Sequence, residues 1–209
     1  VAGFDPAADL DEGLGARFIT RSDTEVLLHG WRHWKGAMLA KLRGMFAFAL
    51  WDAGEQTLFL ARDRFGKKPL HYAELSDGTL VFGSEIKSVL CHPGVDRALD
   101  NKAVADFFTY GYIPDPKTIY SAIRKLPPAH YLIARRGRSI ETGCYWNILE
   151  SLGTEDHGPT PEAALLGHLG AAIKSRLISD VPLGALLSGG VDSGAIVALM
   201  SGVSGNAPN

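Results

Sequence analysis

The residues best suited to chemistry lie near the end of this 209-residue chain, in Ser188-Gly189-Gly190-Val191-Asp192-Ser193. A compact apolar run at 181–187 precedes them, and residues 195–200 after them are apolar and helix-compatible. A loop that leaves a buried strand and enters a helix aims several backbone N–H groups at one point, where the helix N-terminus adds partial positive charge. Gly189 and Gly190 let the backbone approach an anion with no Cβ in the way, and the Ser188 and Ser193 hydroxyls add donors. Asp192 would repel a bare phosphate, so its place in such a loop implies a divalent cation, with magnesium the natural candidate. No Gly-Lys-Ser/Thr step occurs, which disfavours a P-loop kinase or GTPase. On residue types alone, a ligandless glycine turn explains the loop as well.

Other candidates are weaker. Ser22-Asp23-Thr24-Glu25 reads as the start of a helix, a capping box with an acid three residues after Ser22, and Asp23 itself fits a solvated helix cap. His29 and His33 stand four apart on that helix, but Gly30 replaces the Glu a zinc pair of this kind needs and no third ligand is near, so metal binding is disfavoured. Trp31 and Trp34 read as packing residues, and Arg135-Arg136-Gly137-Arg138 as a solvated hairpin turn. Cys91 and Cys144 are too few for a disulfide framework, lack metal spacing, and point to a reducing compartment.

The elements that must position these groups are legible in part. The Ser22 helix is expected to run through Trp34, with a second short helix at 37–42. Phe46, Phe48 and Leu50 alternate with small residues, residues 52–54 break the run, and Leu58 and Leu60 resume it within 57–62. A second hairpin is expected from 70–75 and 79–82 around Asp77-Gly78, and consecutive strands joined by such short turns must be antiparallel. A helix follows at 86–91, another begins after Asp100 and runs to about Tyr110, a strand covers 130–134, and a helix covers 162–178. Prolines at 114, 116, 127 and 128 mark a linker or extended arm rather than a core element. Residues 181–187, the glycine loop and the helix behind it read as strand–loop–helix, the opening of an α/β nucleotide domain. The domain boundary is expected near 92–100.

Composition narrows the class. Against 23 acidic residues stand 21 Lys and Arg, a net charge of −2, so nothing favours nucleic acid or an anionic membrane surface as partner. No apolar run approaches the roughly 18 residues that span a bilayer. A cytoplasmic location is therefore expected. The chain starts at Val1 and closes in Gly, Ser, Asn and Pro, which suggests an excerpt or a fragmentary gene rather than a complete protein.

Ser188 to Ser193 resembles the pyrophosphate-binding loop of the ATP pyrophosphatases, which adenylate a substrate and release pyrophosphate. Further motifs are Ser22-Asp23-Thr24-Glu25-Val26, Arg43-Gly44-Met45-Phe46-Ala47-Phe48-Ala49, Ala61-Arg62-Asp63-Arg64-Phe65-Gly66-Lys67-Lys68-Pro69-Leu70, Phe82-Gly83-Ser84-Glu85-Ile86-Lys87, Leu126-Pro127-Pro128 and Asp180-Val181-Pro182-Leu183-Gly184. In this order they resemble the glutamine-hydrolysing asparagine synthetases over nearly the whole chain.

The resemblance implies the C-terminal part of an Ntn-hydrolase αββα sandwich at 1–95, which releases ammonia from glutamine. At 96–209 it implies a linker and the start of an α/β ATP-pyrophosphatase domain (adenine nucleotide α-hydrolase-like), which adenylates aspartate with ATP before ammonia displaces AMP. Asp23 matches the carboxylate that holds the glutamine α-amino group, Leu187, Ser188, Gly189, Gly190, Val191, Asp192 and Ser193 match the ATP site, and Asp192 is the expected magnesium ligand. Glutamine, aspartate and ATP are the implied small-molecule partners, with a homodimer as a possible assembly. Arg62-Asp63 and Lys67-Lys68 either line the route between two active sites or form a structural ion pair that holds the sheet to the synthetase domain. The family pattern begins Met-Cys-Gly, and that Cys is its nucleophile; no Cys precedes Cys91 here, and the Asn-Gly-Glu and glutamine-gripping Arg stretches are missing. The chain as given is thus expected to lack glutaminase activity. Two other readings stand beside asparagine synthesis: a related amidotransferase acting on a polysaccharide, β-lactam or peptide precursor, and a non-catalytic remnant.

Overall fold

The structure, a computed structural model, describes residues 18–20, 22–151, 160–177, 179 and 181–204. It divides into two compact units, Met45–Ile148 and the pair of stretches Val1–Gly44 and Leu149–Asn209. In the second of these, α1 (Asp23–Trp34) runs directly into a 3-10 helix, Lys35–Ala40, where a short helix at 37–42 is expected. Gly30 explains the tight join: a Cβ there would meet the Met38 sulfur at 3.3 Å. The remaining helices of that unit, here α4 (Pro161–Lys174) and α5 (Val191–Ser204), pack on each other.

Met45–Ile148 holds the sheets. β1 (Ala47–Asp52) and β2 (Thr57–Arg62) form the expected first hairpin, and β3 (His71–Glu74) and β4 (Leu80–Gly83) the second. The hairpins belong to different sheets, one ordered β1-β2-β6-β7 and the other β4-β3-β5. Of the added strands, β6 (His130–Arg135) is expected from sequence, whereas β5 (Arg124–Lys125) and β7 (Glu141–Cys144) are not. Between them in the chain come α2 (Ile86–Leu90) and α3 (Asn101–Tyr110). Asp100 caps α3 as expected, its carboxylate accepting from the Lys102 N–H at 2.9 Å, and Gly111 closes it in the left-handed region at φ 77°. Because β6 pairs with β2 across the whole of 92–100, the sheet unit runs through the expected domain boundary.

Alternation along the strands separates two cores. Leu60 and Leu132 face Leu70 and Leu126 between the sheets, while Ala73 points the other way, to Val89, Val95 and Ile123 under α2. β2 is buried on both faces: behind it Phe59 stacks on Tyr131 at 5.7 Å and meets Phe48 at 6.1 Å. The proline-rich stretch is not a linker or arm. Thr118, Ile123 and Leu126 are all buried in it, and the Thr118 hydroxyl lies 2.9 Å from the Ile123 carbonyl. Pro116 lies in a turn, while isolated apolar residues of the stretch enter the cores.

Two side chains at the end of β2 organise the turn that follows. The Asp63 carboxylate accepts from the N–H groups of Phe65 (3.1 Å), Lys67 (3.0 Å) and Lys68 (3.0 Å). Arg62 donates to the carbonyls of Lys68 (2.9 Å), Gly66 (2.7 Å) and Leu126 (2.6 Å) and to Asp115 (3.1 Å). Asp115 also pairs with Lys125 at 3.0 Å. Arg62→Ala should lower the unfolding free energy by about 1–3 kcal/mol, since it leaves the buried Leu126 carbonyl without its donor, while Asp115 keeps Lys125. Lys87→Ala, in a pair whose side chains are 82% and 58% exposed, should leave stability unchanged. Urea titration followed by tryptophan fluorescence checks both, and equal effects would contradict this account.

Candidate functional site

At the start of α1 the cap is Ser22, not Asp23: the Ser22 hydroxyl accepts from the Thr24 N–H at 3.2 Å, and Asp23 is the first helical residue, exposed. The expected capping box is altered as well. Instead of reaching back to Ser22, the Glu25 carboxylate accepts from the Ile19 N–H at 2.7 Å, the Thr20 N–H at 2.6 Å and the Thr20 hydroxyl at 2.5 Å. The Thr20 side-chain oxygen also lies 3.2 Å from the Ser22 N–H. These bonds, the Thr20 hydroxyl foremost and the Ile19 amide next, hold the Glu25 carboxyl down at about 2. His29 stands 3.6 Å from Glu25 and edge-on to Phe18, whereas His33 lies against Trp34. Among the described residues, no three of His, Cys, Asp or Glu are grouped to hold a metal.

The glycine loop has its own geometry. Gly189 takes φ 80°, a left-handed conformation, and a Cβ there would meet nothing within 4 Å, so the conformation rather than crowding calls for glycine. The first intrahelical bond of α5 runs from the Gly194 N–H to the Gly190 carbonyl at 3.0 Å, leaving the Val191, Asp192 and Ser193 N–H groups ahead of the ladder. Ser188 and Ser193 bring their hydroxyl oxygens to 3.0 Å, and Ser193 also donates to the Gly190 carbonyl at 3.1 Å. Asp192 is exposed in the first turn of α5. These groups suit a phosphate, and one carboxylate beside phosphate oxygens is the donor set magnesium accepts. The expected strand at 181–187 is not formed. The stretch pairs with no strand among the described residues, and Val181, Leu186 and Leu187 are exposed at 68%, 97% and 63%. A strand exists only where a neighbour takes its N–H and C=O groups, and hydrophobicity cannot supply that.

Arg62 and Asp63 are spent on backbone groups, while Lys67 and Lys68 are exposed on the loop those two hold. Sequence reasoning misses their supports. Asp115 sits in the supposed linker, and the Tyr145 hydroxyl donates to the Arg62 carbonyl at 2.8 Å, burial pushing that phenol upward. Trp146 meets Phe65 edge-on at 5.3 Å. Clefts of about 460 and 620 Å³ in the sheet unit are lined by neither Asp23 nor the 188–193 loop. No helix among the described residues is long and apolar enough to cross a membrane.

The signature of the glutamine amidotransferase domain matches residues 8–146, and that of asparagine synthase matches 164–207. Asparagine synthetase [glutamine-hydrolyzing] 3 of Bacillus subtilis (strain 168) is 39% identical over 93% of this chain and 32% of its own length. Amidase chyE of Penicillium rubens is 33% identical over 88% of this chain and 27% of its own. The chain thus spans about a third of the length of the curated relatives it matches. A glutamine phosphoribosylpyrophosphate amidotransferase from B. subtilis, solved with ADP and GMP, superposes over 93% of this chain and 40% of its own at 18% identity, with a TM-score of 0.41, too low to place the fold.

The depressed Glu25 carboxyl fixes a pH dependence. Its folded value lies below the ordinary 4.5, so the stability it confers is present above about pH 4.5 and is lost as pH falls toward about 2. NMR titration should show the Glu25 carboxyl moving near pH 2 and the Ile19 and Thr20 amides losing exchange protection over the same window. A midpoint near 4.5 would show that the clip does not form.

Proposed function

The chain belongs to the glutamine amidotransferase family and carries a segment of the asparagine synthase family behind that domain, and we propose that it serves in making asparagine from aspartate, ATP and glutamine. The observation that carries this reading is the loop geometry: a left-handed Gly189 leading into α5, whose Val191, Asp192 and Ser193 amides precede the helical ladder. Leu187, Ser188, Gly189, Gly190, Val191, Asp192 and Ser193 would form the ATP site. Their N–H and hydroxyl groups favour the charge that builds on pyrophosphate as it leaves. In the proposed reaction an aspartate side-chain oxygen attacks the α-phosphorus, pyrophosphate departs, and β-aspartyl-AMP forms. Ammonia then attacks the acyl carbon and AMP leaves. Magnesium, held by Asp192 and phosphate oxygens, would offset the charge between them.

Asp23, the first helical residue after the Ser22 cap, would hold the α-ammonium group of glutamine in the reaction that supplies ammonia. The finer fold reading is an Ntn-hydrolase αββα sandwich followed by the opening of an ATP-pyrophosphatase domain. Two facing sheets with α2 outside one of them support the first part. The division between the domains is proposed between the two matched stretches, 8–146 and 164–207. Amidation of another carboxylate is the second reading, supported by the likeness to Amidase chyE.

The test is exchange of labelled pyrophosphate into ATP by protein made from the complete reading frame. Exchange should require aspartate, and Asp192→Asn should reduce it about a hundredfold, as loss of a group that stabilises developing charge does. Exchange with a different carboxylic acid would favour the second reading. No exchange with any acid would remove amidotransfer.

A further inference from the structure

Asp23 and Glu25 are two residues apart at the start of one helix, so their side chains leave it roughly 200° apart around the axis. They cannot serve the same neighbour. Glu25 faces the incoming chain, and its side chain is only 14% exposed. Both of its oxygens are engaged there, one by the Ile19 N–H and the other by the Thr20 N–H and hydroxyl. The Thr20 oxygen in turn accepts from Ser22, whose own hydroxyl accepts from Thr24. Each link constrains the next: Glu25 fixes Thr20, Thr20 fixes Ser22, and Ser22 fixes the first turn from which Asp23 projects.

We propose that Glu25 is a positioning residue for glutamine, a role that rests on the reading of Asp23 as the carboxylate meeting the substrate ammonium group. Glu25 does not touch glutamine. It holds the approach to α1 through the Thr20 amide and hydroxyl, so that the cap stays with Ser22 and Asp23 keeps the N1 position. Without that clip, Ser22 loses the Thr20 oxygen that holds its N–H, and the first turn from which Asp23 projects loses its anchor. Ionisation is required throughout, because a protonated Glu25 would present a donor to amides that are themselves donors.

Steady-state glutamate release and ammonia-dependent synthesis by protein from the complete reading frame test this. Glu25→Ala should raise KM for glutamine about tenfold, the loss expected for hydrogen bonds to a charged group, with kcat within about twofold. Glu25→Gln, which keeps one carbonyl acceptor for the Thr20 amide, should recover part of that loss. Thr20→Val should raise KM in the same direction, and none of the three should alter ammonia-dependent synthesis. Asp23→Asn is the control: a raised KM there beside a wild-type KM in Glu25→Ala and Thr20→Val overturns the positioning role. A wild-type KM in Asp23→Asn overturns the reading of Asp23 itself. Parallel loss of glutamine- and ammonia-dependent activity in Glu25→Gln and Thr20→Val would assign Glu25 to general stability and also overturn the proposal.

Discussion

Everything in the sheet unit hangs on how the peptide groups after β2 are satisfied. Residues 64–69 leave one sheet and enter the other, so no ladder takes their N–H and C=O groups, and buried groups of this kind must be paired. Arg62 and Asp63 do this by division: the guanidinium collects carbonyls of Gly66, Lys68 and Leu126, and the carboxylate collects amides of Phe65, Lys67 and Lys68. A planar fork with several donors suits the first task and an acceptor-only group the second, so neither residue is replaceable by a smaller polar one. Crowding is the cost. Gly66 sits at φ 61°, and a Cβ there would come within 2.9 Å of the Arg62 guanidinium carbon and of Pro128.

The same pair ties distant chain to the sheets. Arg62 reaches Asp115 and Leu126, the Ala129 N–H donates to the Asp63 carbonyl, and Tyr145 closes on the Arg62 carbonyl. Asp115 is shared with Lys125, the residue through which β5 pairs with His71 of β3. The proline-rich stretch therefore works as a clasp. Its prolines donate no N–H groups, and Asp115 anchors it to the guanidinium at the end of β2.

What could be read from the sequence follows from range. Residues 52–54 separate the apolar runs of β1 and β2, Asp77-Gly78 breaks the second hairpin, and Asp100 precedes an apolar period; each of these is local, and each element lies within a residue or two of its expected span. β5 is two residues long and β7 reads Glu-Thr-Gly-Cys, with no alternation to reveal it. Both exist because β3 and β6 offer them an edge, a fact that no window along the chain contains. The separation of the hairpins into two sheets was hidden for the same reason, since a turn signal shows that strands reverse and not which neighbours they find.

The two candidate sites differ in what the chain itself secures. Around Glu25 and Ser22 the carboxylate and cap bonds described at the start of α1 come from residues within six positions, so the local sequence contains both the acid and its collar. The glycine loop is likewise self-made at its turn, through Gly189 and the Ser188–Ser193 contact, yet the stretch leading into it stays unpaired with its leucines exposed. Motif and loop conformation therefore do not depend on a finished sheet. A left-handed glycine and a helix start can be set by a handful of residues, whereas a strand is a property of two. That is why the Val191, Asp192 and Ser193 amides stand ahead of the helical ladder although the stretch at 181–187 is not a strand.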